Sequence, residues 1–139
     1  MTRLLDVNVL LALVWPQQSL YSQANRWIEL EKAKGKIHIA TSPITQLGFV
    51  RISMNVKGYA QDFENAIALF NILINRPEFH HEFWPDDISL LSVARLARPH
   101  LGSAQLTDFY LVNLAKAHGG RLVTLDTGIK GADVELITP

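Results

Sequence analysis

A chain of 139 residues, 48% apolar and 19% charged, has the balance of a folded globule and excludes a disordered tail or linker protein. Its 13 basic and 13 acidic residues cancel, so no net positive field advertises nucleic-acid binding, and any such contact must come from a local patch. The lack of cysteine removes disulfides, thiolate metal sites and thiol nucleophiles, and fits a cytoplasmic protein.

The length suits a single domain, 1–139, that buries roughly two-thirds of the surface its unfolded chain would expose. The start, "MTRLLDVNVLLALVW", has the outline of a signal peptide. Asp6 and Asn8 interrupt its apolar run, however, and no small-residue cleavage site follows, so it reads as mature structure. No segment reaches the roughly 18 uninterrupted apolar residues of a membrane span, and no membrane partner is expected.

Leu4 to Val7 reads as a first strand, with Asn8 as N-cap of a short helix that stops before Pro16. "SLYSQANRWIELEKAKGK" places Leu20, Ala24, Trp27, Ile28 and Leu30 at helical spacing and closes at Gly35. "KIHIAT" alternates as a second strand. "SPITQLGFVRISM" then opens a helix with Ser42 as N-cap and Pro43 at its first position. "AQDFENAIALFNILIN" is a helix stopped before Pro77, "HEFWP" a short third strand and "DISLLSVARLAR" a further helix. "SAQLTDFYLVNLAKAHGG" is a helix with a glycine terminus, followed by strands at "RLVTL" and "VELIT". Alternating strands and helices predict an α/β fold, a three-layer α/β/α sandwich around a central parallel sheet.

Twice an apolar strand ends in an aspartate, Asp6 and Asp126. Ligands of open parallel sheets bind outside the carboxyl ends of the strands. A third acid, Asp108, shares a helical stripe with Ala104, Leu111, Val112 and Ala115, and inward-facing acids are rare unless paired or metal-bound. Each acid also has an ordinary structural reading: Asp6 as a helix-entry residue, Asp126 as a turn former, Asp108 as a residue favoured by the helix dipole. Together they read better as a cluster. Two carboxylates about 4 Å apart repel by about 4 kcal/mol at an effective dielectric of ~20, and a divalent cation resolves the conflict. Oxygen ligands without cysteine or a histidine pair point to Mg2+ or Mn2+, and such a site suits phosphodiester hydrolysis.

These residues resemble a known family. "LLDVNVLLAL" with "LTDFYLVNLAKAHGGRLVTLD" is similar to the PIN domain, specifically the VapC-type toxin ribonucleases of toxin-antitoxin modules, and "SPITQLGFVRISM" and "FWPDDISL" fit a VapC subgroup in order and spacing. The resemblance implies a PIN-like sandwich and metal-dependent cleavage of RNA, often tRNA or rRNA, by a metal-activated water. It also implies a homodimer held inactive by a VapB-type antitoxin. By matching motifs, Asp6, Asp108 and Asp126 are the expected catalytic and metal-binding acids, and Asn8, Thr107 and Thr124 are supporting polar groups. Where many PIN domains carry a glutamate, this chain has Gln46, which supplies a neutral oxygen, removes one negative charge and is expected to weaken metal binding.

Arg51 follows the Gln46 helix within reach of an RNA phosphate, although a surface salt bridge is the first expectation for it. His80 and His81 are adjacent on an extended segment, face opposite ways and read as exposed loop histidines. Trp27 and Trp84 read as core or interface anchors, and His118 as a helix C-terminal residue. Two alternatives to an endoribonuclease stand: a PIN-fold RNA- or protein-binding module weakened by Gln46, and a receiver-like phosphoacceptor domain. No G-x-G-x-x-G follows the first strand and no GxxxxGK[ST] is present, which disfavours dinucleotide binding and P-loop chemistry.

Overall fold

The computed structural model describes residues 1–60 and 62–139, so the part of the predicted fourth helix that includes Gln61 lies outside the described residues. Five strands form one parallel sheet: β1 (Arg3–Leu5), β2 (Ile37–Thr41), β3 (Phe79–Phe83), β4 (Arg121–Thr124) and β5 (Val134–Leu136), in the order β3-β2-β1-β4-β5. Among the described residues six α-helices accompany them: α1 (Val7–Val14), α2 (Tyr21–Lys32), α3 (Pro43–Asn55), α4 (Phe63–Ile74), α5 (Leu90–Val93) and α6 (Leu106–Ala117). A receiver-like sheet would run 2-1-3-4-5, so the strand order sets that alternative aside.

Alternation along the strands builds a core on each face of the sheet. Leu5, Ile37, Ile39 and Val123 pack against Val9 and Leu10 of α1, Ala24 and Ile28 of α2, Phe49 of α3 and Phe70 and Leu73 of α4. Leu4, Ala40 and Leu122 face the other way, onto Trp84 and onto Leu111, Leu114 and Ala115 of α6. These are the three layers expected from the alternating pattern. Leu4 and Leu122 are fully buried and paired in register, and truncating either to alanine should cost about 2–5 kcal/mol.

The first boundary falls earlier than expected. β1 stops at Leu5, and Asp6 rather than Asn8 caps α1, its Oδ1 accepting from Val7 N at 2.8 Å. This frees the Asn8 side chain for β4. Ser42 and Pro43 open α3 as expected, with a reciprocal capping box between Ser42 and Thr45. Asp62 caps α4 by accepting from Asn65 N.

The third strand is Phe79–Phe83 instead of "HEFWP", because pairing with β2 begins at Phe79 opposite Ile37. Of the helix expected over 87–98, only α5 forms, followed by a 3-10 turn at Ala94–Leu96. Leu90, Leu91 and Leu96 are all exposed there, so no buried stripe supports a longer helix. At the end of α6, Gly119 takes φ 73°, and Gly120 lies so close to the Thr2 carbonyl and the Trp84 ring that a Cβ would collide with both.

Candidate functional site

The carboxyl ends of β1 and β4 are joined by one hydroxyl. Thr124, the last residue of β4, is fully buried, and its Oγ1 donates to Asp6 Oδ2 at 2.8 Å. The same oxygen accepts from Asn8 Nδ2 at 3.2 Å and from Asp126 N at 3.1 Å. Its one donor and two acceptor positions are all used. Asn8 Oδ1 in turn accepts from Leu125 N, and Asp6 N donates to Val123 O at 3.0 Å, continuing the ladder past the end of β1. Asp126 is exposed, with Oδ1 held by Gly128 N at 2.8 Å. Asp6, Asn8, Thr124 and Asp126 therefore form one hydrogen-bonded unit, and an apolar residue at Thr124 would break three of its contacts.

Asp108 enters from the first turn of α6 on the opposite face of the sheet, on the same side of the helix as buried Leu111 and Ala115. Burial, and then the charges of Asp6 and Asp126, push its carboxyl up to about 6. Asp6 is likewise raised, first by burial and last by Asp126, while its hydrogen bonds to Thr124 and Val7 oppose the shift. The charges of Asp6 and Asp126 thus add to the effect of burial on Asp108, and that of Asp126 to the effect of burial on Asp6. Thr107 is exposed, and its side chain makes no hydrogen bond among the described residues.

Gln46 lies in the first turn of α3, beside the same edge. Two residues on, Gly48 lets α3 close onto α1, since a Cβ there would run into the side chain of Val7, the neighbour of Asp6. Gln46 Nε2 donates to Thr41 Oγ1 at 3.1 Å, and Thr41 Oγ1 lies 2.7 Å from His81 Nε2. His81 is thus no loop histidine. It sits in β3, half-buried, opposite Ile39, while His80 on the other face packs its ring 4.9 Å from that of His38. Parallel register between β2 and β3 brings His81 to Thr41, a partnership invisible in a sequence where the two are forty positions apart.

Arg51 is exposed and joins no ion pair among the described residues, contrary to the expected salt bridge. The tryptophans do act as anchors. Trp84 is buried and stacks on His118, the C-cap of α6, whose Nε2 meets Asp87 Oδ1 at 2.9 Å. Trp27 donates to Glu135 beneath the Arg3 guanidinium.

The donor set suits a hard divalent cation: three carboxylates, two of them strained toward protonation by burial and mutual charge. Among the described residues no three acidic or imidazole side chains are gathered at metal-holding distances. Two open hollows, of about 820 and 530 Å³, lie elsewhere, one beside Glu29, Lys36 and Glu78 and the other beside Arg3, Trp27 and Arg121. None of the three acids lines them, so charge and hydrogen bonding mark this site and cavity size does not.

Comparison with known proteins identifies the family. The PIN domain family model matches residues 3–135. Ribonuclease VapC39 of Mycobacterium tuberculosis is 39% identical over 93% of this chain and 91% of its own length. Ribonuclease VapC29 of the same organism is 35% identical over 100% and 98%. The crystal structure of VapBC2 from Rickettsia felis bound to a DNA fragment from their promoter superposes with a TM-score of 0.63 at 17% identity, covering 98% of each chain, a likeness of fold. The chain belongs to the PIN domain family and is similar over most of its length to VapC ribonucleases.

Proposed function

We propose that this protein is a metal-dependent endoribonuclease, the toxin of a VapBC-type toxin-antitoxin pair, acting in the cytoplasm on RNA such as tRNA or rRNA. The observation that carries the reading is the shared electrostatic neighbourhood of Asp6, Asp108 and Asp126 at the carboxyl edge of the sheet.

Asp6, Asp108 and Asp126 would hold the ion, Mg2+ or Mn2+. When bound, that cation supplies Lewis acidity, making a water nucleophilic near neutral pH and offsetting charge on the phosphoryl group. Asp6 is fixed for this task by Thr124 and Val7. Asp108 must give up its proton to bind the ion, which ties cation affinity to pH near 6. Asn8 and Thr124 hold the loops carrying the acids in register. Gln46 offers a neutral amide to the attacking water in place of a fourth carboxylate, and Arg51, free of acidic partners among the described residues, takes a backbone phosphate.

Partner binding fits the exposed apolar side chains on neighbouring helices: Leu47 and Met54 of α3, and Phe63, Ile67 and Ile72 of α4. Such a surface suits an apolar antitoxin segment or a second copy in a homodimer. No helix among the described residues is long and apolar enough to cross a membrane.

The test is incubation of total cellular RNA with the purified protein and Mn2+ or Mg2+. Discrete fragments that vanish with EDTA and with Asp108→Asn support the ribonuclease. Intact RNA beside a folded protein that binds the cation favours the Gln46-weakened binding module.

A further inference from the structure

Glutamine at position 46 raises a problem that glutamate would not. Both ends of a carboxylate are oxygens, whereas an amide presents an acceptor on one side and a donor on the other. To serve as an oxygen in the site, Gln46 must be held one way round.

The buried hydroxyl of Thr41 and the Nδ1–H tautomer of His81 together supply that constraint. The amide nitrogen of Gln46 only donates, so it occupies a lone pair of Thr41 Oγ1, and the single hydroxyl hydrogen goes to Nε2 of His81, 2.7 Å away. His81 then carries its own proton on Nδ1. The charged and titratable neighbours that act on His81 are Glu82 and His80, both on β3; β2 and α3 bring it Thr41 and Gln46, neither of which ionises. Burial keeps the imidazole below its ordinary range, so at neutral pH it is uncharged, one ring nitrogen a donor and the other an acceptor, and in its Nδ1–H tautomer Nε2 takes the Thr41 hydrogen. Three elements, β2, β3 and α3, are thereby linked through one hydroxyl, and Gln46 Oε1 accepts no hydrogen bond among the described residues.

We propose that Thr41 and His81 are positioning residues that hold the Gln46 amide with its nitrogen inward, leaving Oε1 as the end available to the acid site. This rests on reading Gln46 as part of the active site. The relay is a hydrogen-bond device for a neutral side chain. In a Gln46→Glu variant it has no orienting work to do.

The test starts with the metal-free protein, labelled with ¹⁵N at glutamine side chains. Thr41→Val should move the Gln46 NH2 resonances to those of a free amide, and Thr41→Ser should restore them. With Mn2+ and RNA, Thr41→Val should lower kcat about 3- to 10-fold at little change in KM, the effect of losing one neutral hydrogen bond. In a Gln46→Ala background the same substitution should do nothing further. His81→Phe leaves the buried strand β2 untouched and should reproduce part of both effects. Unmoved Gln46 resonances and an unchanged kcat in Thr41→Val and His81→Phe, while Gln46→Ala is impaired, would overturn the positioning role. A wild-type rate in Gln46→Ala would instead remove Gln46 from the site, and the inference with it.

Discussion

The carboxyl edge of the sheet has two halves built on different principles. At β1 and β4, charged groups are fixed by neutral ones: Thr124 holds Asp6, Asn8 and the Asp126 backbone in one unit. At β2 and β3 the hydrogen-bonded groups are all neutral, Gln46, Thr41 and His81, again pivoting on one buried threonine. The first half concentrates negative charge, which in the proposed function a cation would balance; the second carries no acidic group. Where the family's usual glutamate would have extended the charged half onto α3, this chain extends the neutral one. Cation binding here should therefore rest on three acids, with Gln46 affecting geometry more than affinity.

The largest expected effect breaks the charged half. Asp6→Asn should lower RNA cleavage by roughly 100-fold or more, since a metal contributes several kcal/mol of transition-state stabilisation; a loss under tenfold in single-turnover assays would place the chemistry elsewhere. Next is the pivot. Thr124→Val leaves the buried Asp6 oxygen without its donor and should cost about 1–3 kcal/mol of stability, read as a lower urea midpoint. Smaller still is charge restored to the neutral half: Gln46→Glu should tighten Mn2+ binding by about tenfold, and unchanged affinity in a calorimetric titration would sink the charge argument.

The smallest effect concerns Asp108 without metal. Its folded carboxyl titrates at about 6 and its unfolded one near 3.8, so the native state binds the proton more tightly and loses stability as pH rises from about 4 through 6. A shift of this size would be about 3 kcal/mol for a sealed group, but Asp108 is partly exposed, and screening reduces it to on the order of 1 kcal/mol. Asp108→Asn should therefore stabilise the metal-free protein at pH 7.5 and have little effect at pH 4. Equal melting shifts at both pH values would show that charge is not the cause.

Much of the frame is legible in the residues themselves. Apolar runs at Leu4–Leu5 and Leu122–Val123 mark buried parallel strands, and the aspartates that follow must then emerge at the edge where loops converge. Helical spacing puts Asp108 on the side of Leu111 and Ala115. What stays hidden depends on distance along the chain or on which apolar groups find a partner. Asp6 and Asn8 are both good caps, and only the pairing of Asn8 with Thr124 decides between them. The leucines of 90–96 have helical spacing but remain exposed, so the expected helix shrinks to α5 and a turn. His81 looks idle until β3 is set in register beside β2.

The central claim is that Asp6, Asp108 and Asp126 form one cation site whose occupancy competes with a proton on Asp108. The most direct measurement is calorimetric titration of Mn2+ into the purified protein at pH 5 and pH 7.5, each in two buffers of different ionisation enthalpy, with Asp108→Asn alongside. The account predicts weaker binding at pH 5, proton release on binding near pH 6, and loss of both the affinity and its pH dependence in Asp108→Asn. Equal affinity at the two pH values, unaffected by Asp108→Asn, would contradict it.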